Sequence, residues 1–166
     1  MPLPAIACEP IFPRDAAAIA SLHLACFPQG RDIRWDSPGI AALVASRGGF
    51  GLFVRGKEVG LDDEVPAGFI LCRFCAEECE ILSLGVAPLL RRRGLAAALL
   101  ETAIGLCREK GVTRMILEVA ESNTMARRFY EKQGFALIGR RKDYYGRGES
   151  KTDALVLACP VRVSSA

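Results

Sequence analysis

The stretch Pro88–Leu100, PLLRRRGLAAALL, decides how this chain is read. From Gly94 onward, GLAAALLETAIGLCREKG has the apolar spacing of a helix and stops at Lys110-Gly111, a sound helix terminus. Arg91, Arg92 and Arg93 therefore crowd the helix start. That end already carries unpaired backbone N–H groups and the positive pole of the helix dipole, so cations are ordinarily unfavourable there. A bound phosphate reverses the sign, because N–H groups and guanidinium groups then converge on an anion. Gly94, Ala96, Ala97 and Ala98 keep the surface low enough for a ligand to approach the backbone. The alternative is three solvated arginines and a helix that begins nearer Pro88.

Working outward, the pattern predicts a short strand near 6–8 and a helix from Asp15 as N-cap to Phe27. A second helix opens at Ser37-Pro38 and runs to Val44. Strands are predicted at 50–55, 67–74 and 80–86, the first two joined by an acidic, glycine-containing connection at 56–66. After the helix from Gly94 to Lys110 come a strand at 115–119 and a helix capped by Asn123 and ended by Gly134. Two closing strands follow at 135–141 and 152–159. This order predicts one α/β (α+β) domain over residues 1–166, a mixed, mostly antiparallel sheet of about seven strands flanked by about four helices.

Composition narrows the function classes. With 51% hydrophobic and 25% charged residues, the 166-residue chain is globular. No apolar run nears the ~20 residues of a membrane span, and the first residues lack the basic and apolar regions of a signal peptide, so a cytoplasmic, membrane-free protein is expected. A net charge of +3 is too mild for a nucleic-acid binder, and no aromatics interleave with the arginines as stacking platforms would. Seven cysteines with no export signal read as reduced thiols. Cys72, Cys75 and Cys79 invite a metal, but Cys72 and Cys75 point to opposite faces of a strand and His23 is the only histidine, so no metal is expected. GxxxxGK[ST] and GxGxxG are absent, which disfavours an NTPase or a dinucleotide fold.

Arg91–Ala96, RRRGLA, fits [QR]xxGx[GA], and about two dozen residues later stands LEVAESNTMARRFYEKQGF, Leu117–Phe135. Together they resemble the Gcn5-related N-acetyltransferase superfamily. Within it, LGVAPLLRRRGLAAALL, FYEKQGF and RRKDYYGRGESKTDALVLACPV are most similar to the ribosomal-protein alanine N-acetyltransferases, over roughly residues 80–160. The resemblance implies acetyl-coenzyme A as cosubstrate. It implies that Leu84, Gly85 and Val86 bond the pantetheine arm, that Arg91, Arg92, Arg93, Gly94, Leu95, Ala96 and Ala97 form the pyrophosphate loop, and that Asn123 and Tyr130 contact the cofactor. It further implies Glu118 as general base and Tyr130 as general acid. The acceptor it implies is a protein N-terminal amine, that of alanine on a small-subunit ribosomal protein. A small amine, an antibiotic or a lysine side chain is the alternative, since FPQGRDIRW (27–35) and the 56–66 connection depart from the pattern.

The chemistry stands on the same residues. Glu118 interrupts an apolar strand on the face of Ile116, where desolvation would strengthen it as a base. A phenol such as that of Tyr130 can protonate a departing thiolate. Backbone N–H groups near Val86 are the expected donors to the oxyanion. A covalent route would need a Cys–His pair, for which His23 in SLHLACF is poorly suited, so direct attack in a ternary complex is expected.

Overall fold

Strands in the middle of this chain are apolar on both faces. Leu52 and Val54 pack to one side and Phe53 to the other, and Ile70 and Cys72 are opposed in the same way by Phe69 and Leu71. Such strands must be covered twice. The computed structural model describes residues 6–28, 34–56, 64–146 and 151–162. Its strands are β1 (Cys8–Pro10), β2 (Gly49–Gly56), β3 (Val65–Cys75), β4 (Glu78–Val86), β5 (Arg114–Ala120), β6 (Ala136–Tyr145) and β7 (Thr152–Pro160). Its helices are α1 (Ala16–Cys26), α2 (Ser37–Ala45), α3 (Leu95–Glu109) and α4 (Thr124–Lys132). One sheet runs in the order β1-β2-β3-β4-β5-β7-β6, antiparallel at every pair except β4–β5.

Two cores result. Leu99, Leu100, Ala103 and Cys107, a helical stripe of α3, cover the first face with Tyr130 and Phe135. Ile19 and Leu22 of α1 and Ile40 and Leu43 of α2 cover the second, against Phe53, Ala67, Phe69, Leu71 and Val86. None of the helices among the described residues is long and apolar enough to cross a membrane.

The predicted order of elements holds, and the departures are local. The first strand lies two residues later, where Cys8–Pro10 can pair with Leu52–Val54. Asp15 stands at the N-cap of α1 as predicted, but its carboxylate accepts from the Phe12 N–H (2.9 Å) and so braces the 3-10 turn before α1, with no side-chain capping bond to the helix itself. The α2 cap is Asp36, which accepts from the Gly39 N–H (2.8 Å); Ser37 is already helical. Much of the 56–66 connection and residues 29–33 of FPQGRDIRW lie outside the described residues.

Candidate active site

The single parallel pair in the sheet is short. β4 and β5 pair only from Glu78–Arg114 to Ile81–Leu117, after which both strands continue without each other. At that point β4 carries a bulge. Leu71 opposes Ser83 and Cys72 opposes Ile81, which leaves Leu82 as the extra residue. A bulge bends and further twists its strand, so β4 peels from β5 and opens a cleft. Ile81, Leu82, Ser83 and Leu84 form one wall and Leu117, Glu118, Val119 and Ala120 the other, with Phe27, Asn123, Ala126, Tyr130 and Tyr145 completing it; the cavity measures ≈ 120 Å³. Backbone groups of β4 beyond Ile81 that face β5 have no strand partner there.

Glu118 and Tyr130 meet at this cleft from different elements. Met115, Leu117 and Val119 are buried, which leaves Glu118 on the other face of β5 beside Ile116, as alternation predicts. Its surroundings differ from the expectation in one respect. Instead of standing unpaired among apolar groups, its Oε1 is 3.0 Å from Nε of Arg141. Tyr130 is fixed by the end of α4. The Phe135 N–H donates to the Tyr130 carbonyl (3.0 Å) and the Gly134 N–H to that of Glu131 (3.1 Å), with Gly134 at φ +90°. This is the paired-bond helix stop that glycine permits. Its apolar contact is the Tyr130–Phe135 ring pair, 5.3 Å between centroids. Burial pushes the Tyr130 phenol well above the ordinary tyrosine range, with Cys72 adding to it. Asn123 lines the cleft while its side-chain oxygen accepts from the Ala126 N–H (3.2 Å), capping α4.

The other predicted residues sit at the end of β4 and the start of α3. Gly85 has a packing reason of its own: a Cβ there would lie 2.8 Å from the Phe69 ring and 3.0 Å from Cys26 Sγ. Gly85→Val is accordingly expected to cost ~1–3 kcal/mol from overpacking, read as a lower denaturant midpoint with unchanged slope. The arginine run divides. Arg91 donates through Nε to the Val86 carbonyl (3.1 Å) and through Nη2 to that of Cys26 (3.5 Å), tying the loop to β4 and α1. Arg92 and Arg93 are exposed. Arg92 has φ +63°, a left-handed conformation that costs a side-chain-bearing residue ~1–3 kcal/mol and concentrates at functional loops. Gly94 follows at φ +80° as the N-cap of α3, with no side-chain hydrogen bond capping that end. The N–H groups of Leu95, Ala96 and Ala97 precede the first helical bond, Ala98 N–H to Gly94 carbonyl (3.0 Å). An uncapped helix start beside two exposed guanidinium groups fits a diphosphate.

The seven cysteines are free thiols. Cys72 is buried and Cys75 exposed, as strand alternation requires, and among the described residues no group of three or more His, Cys, Asp or Glu is placed to hold a metal. Two features could not be read from sequence, the bulge at Leu82 and the reach of Arg141 to Glu118; both depend on strand register. Tyr145 is the part of DYYGRGES that lines the cleft, and residues 147–150 lie outside the described residues.

Comparison with known proteins agrees with this geometry. The model of the acetyltransferase (GNAT) family matches residues 16–135. Ribosomal protein bS18-alanine N-acetyltransferase of Salmonella typhimurium is 33% identical over 99 residues, covering 60% of this chain and 67% of that protein. Its Escherichia coli K12 counterpart is 34% identical over 95 residues, 57% of this chain and 64% of that one. The chain thus spans about two thirds of the length of these relatives. The crystal structure of the ribosomal-protein-S18-alanine N-acetyltransferase from Escherichia coli superposes with a TM-score of 0.79 over 96% of both chains at 23% identity. That of Arabidopsis thaliana NAA60 with a bisubstrate analogue gives 0.80 over 96% of this chain and 99% of the other at 22% identity, so both show a common fold. With the family model spanning most of its length, the chain belongs to the acetyltransferase (GNAT) family.

Proposed function

We propose that the protein transfers the acetyl group of acetyl-coenzyme A to the N-terminal amine of a protein, alanine of a ribosomal protein being the acceptor, in the cytoplasm and by direct attack in a ternary complex. The observation that carries this reading is the convergence of Glu118 and Tyr130 on the cleft between β4 and β5. The names of the bacterial relatives support the acceptor, and an Arabidopsis thaliana NAA60 structure in complex with acetyl-CoA, of the same fold, supports the donor.

Arg92, Arg93 and the first N–H groups of α3 would hold the pyrophosphate, and Leu84, Gly85 and Val86 would offer backbone bonds to the pantetheine arm. Acetyl-coenzyme A, when bound, supplies an activated thioester. Glu118 takes the proton of the attacking amine, and the protonated phenol of Tyr130 gives one to the thiolate. Those N–H groups of β4 between Leu82 and Val86 that turn toward β5, where the β4–β5 ladder has ended, would stabilise the carbonyl oxygen as it gains charge.

Attack through a cysteine finds little support. Burial pushes the Cys26 thiol up to about 11, and the buried His23 packs against the rings of Phe27 and Phe69. The test is acetylation of an alanine-initiated peptide against an N-blocked lysine peptide and a panel of small amines. The alanine peptide should have the highest kcat/KM, and a preference for small amines overturns this acceptor.

A further inference from the structure

Arg141 reaches Glu118 from two strands away. Glu118 on β5 stands opposite Val156 on β7, and Val156 opposite Gly139 on β6; the next row on that face is Ala120, Ala154 and Arg141. Two strand spacings, roughly 10 Å, separate β5 from β6. A guanidinium can cross that span only over a low surface, and Gly139, Ala154 and Ala120 provide one. The Arg141 Nε–Glu118 Oε1 contact of 3.0 Å results, with the guanidinium carbon also 5.5 Å from the Tyr144 ring centroid. The Arg141 side chain is 58% exposed and that of Glu118 21%, so the cation meets the carboxylate from the solvent side of the cleft. Its neighbour Arg140 is engaged elsewhere, by Glu121 and Asp153.

This pair bears on which amines can enter. An α-amine has an ordinary pKa of ~7.7–8.0 and a lysine amine ~10.4, so near pH 7 roughly a tenth of the first is uncharged and well under a thousandth of the second. A lone carboxylate would attract the ammonium form of either. A carboxylate already neutralised by Arg141 does not, and an ammonium entering the cleft loses water without an opposing charge in return. Among the described residues lining the cleft, Glu118 is the one charged group. Tyr130 from α4 and Tyr145 from β6 are the titratable others, while β4 contributes only Ile81–Leu84 and the end of α1 only Phe27, the residue that follows it.

We infer that Arg141 is a positioning residue that sets acceptor specificity: by neutralising Glu118 it admits acceptors as uncharged amines and so favours an N-terminal α-amine over a lysine ε-amine. The inference rests on the amine-acetylation reading above, but its first test needs no turnover. n-Butylammonium is titrated calorimetrically into the protein with coenzyme A at pH 7. Arg141→Gln should bind it roughly tenfold tighter than the wild type, the order expected of one partly screened charge at contact distance. Arg141→Lys, which keeps the charge, should match the wild type. In turnover, the kcat/KM preference for an alanine-initiated peptide over an N-blocked lysine peptide should fall about tenfold in Arg141→Gln, through a lower KM for the lysine peptide, and recover in Arg141→Lys. The inference is overturned if Arg141→Gln binds n-butylammonium no tighter than the wild type, or if Arg141→Lys behaves like Arg141→Gln. Tighter cation binding in a protein that acetylates neither peptide would instead keep the charge filter and remove the acetyl-transfer reading.

Discussion

Glu118→Gln is expected to lower kcat for the alanine-initiated peptide by ~10²–10⁴-fold, the usual cost of removing a general base, while coenzyme A binding is unchanged. The amide keeps the shape of the carboxyl and can still accept a hydrogen bond, but it cannot carry a proton away from the amine. It also releases Arg141, whose pair with Glu118 is solvent-facing on the arginine side. Exposed pairs of this kind contribute only ~0.2–1 kcal/mol, so the fold should be unaffected. Steady-state kinetics at saturating acetyl-coenzyme A, with calorimetric titration of coenzyme A, separates the two effects. A variant within tenfold of the wild-type kcat would remove Glu118 from the mechanism.

Tyr130→Phe should reduce kcat by a similar ~10²–10⁴-fold, here by deleting the proposed proton donor to the thiolate. Phenylalanine preserves the ring contacts with Phe129 and Phe135 and the backbone bonds that close α4, so lost activity with retained structure isolates the hydroxyl. The buried phenol also gives this residue a pH signature. Its folded-state pKa is raised above the unfolded value, so the unfolded chain releases this proton first as pH rises. The stability linked to the phenol is complete below about pH 10 and declines above it. Tyr130→Phe removes that decline. Denaturation curves of variant and wild type should therefore run together at neutral pH and diverge above pH 10, with the variant the more stable. Parallel curves at high pH would mean that the phenol is not held in a desolvated site.

How far the sequence could be read follows from which interactions are local. The stops at Gly111 and Gly134 and the Asn123 cap depend on residues a few positions apart, and each was legible. The meeting of Glu118 and Tyr130 at one cleft was legible only through resemblance, since nothing in their spacing says that β4 will part from β5 between them. The bulge at Leu82 carries no local mark because LSL would serve equally well in a regular strand. The division of the arginine run was hidden for the same reason: Arg91 is set apart from Arg92 and Arg93 by carbonyls of Val86 and Cys26 that approach only in the folded sheet. Asp36 and Ser37 are both good caps, and the choice between them rests on one backbone turn.

β6 is the last strand of its sheet, and none of its ten residues is buried. An edge strand whose backbone pairs with one neighbour and that buries so little, tied across only by the exposed pairs Arg140–Glu121 and Arg141–Glu118, opens at a smaller free energy than the one that unfolds the molecule. The counter-ion of the proposed base therefore rides on a margin that frays, while the base itself is anchored in β5 between β4 and β7. A detachment of that margin would take Arg141 away from Glu118, so the proposed charge filter would depend on the outermost strand of the sheet and not on its core.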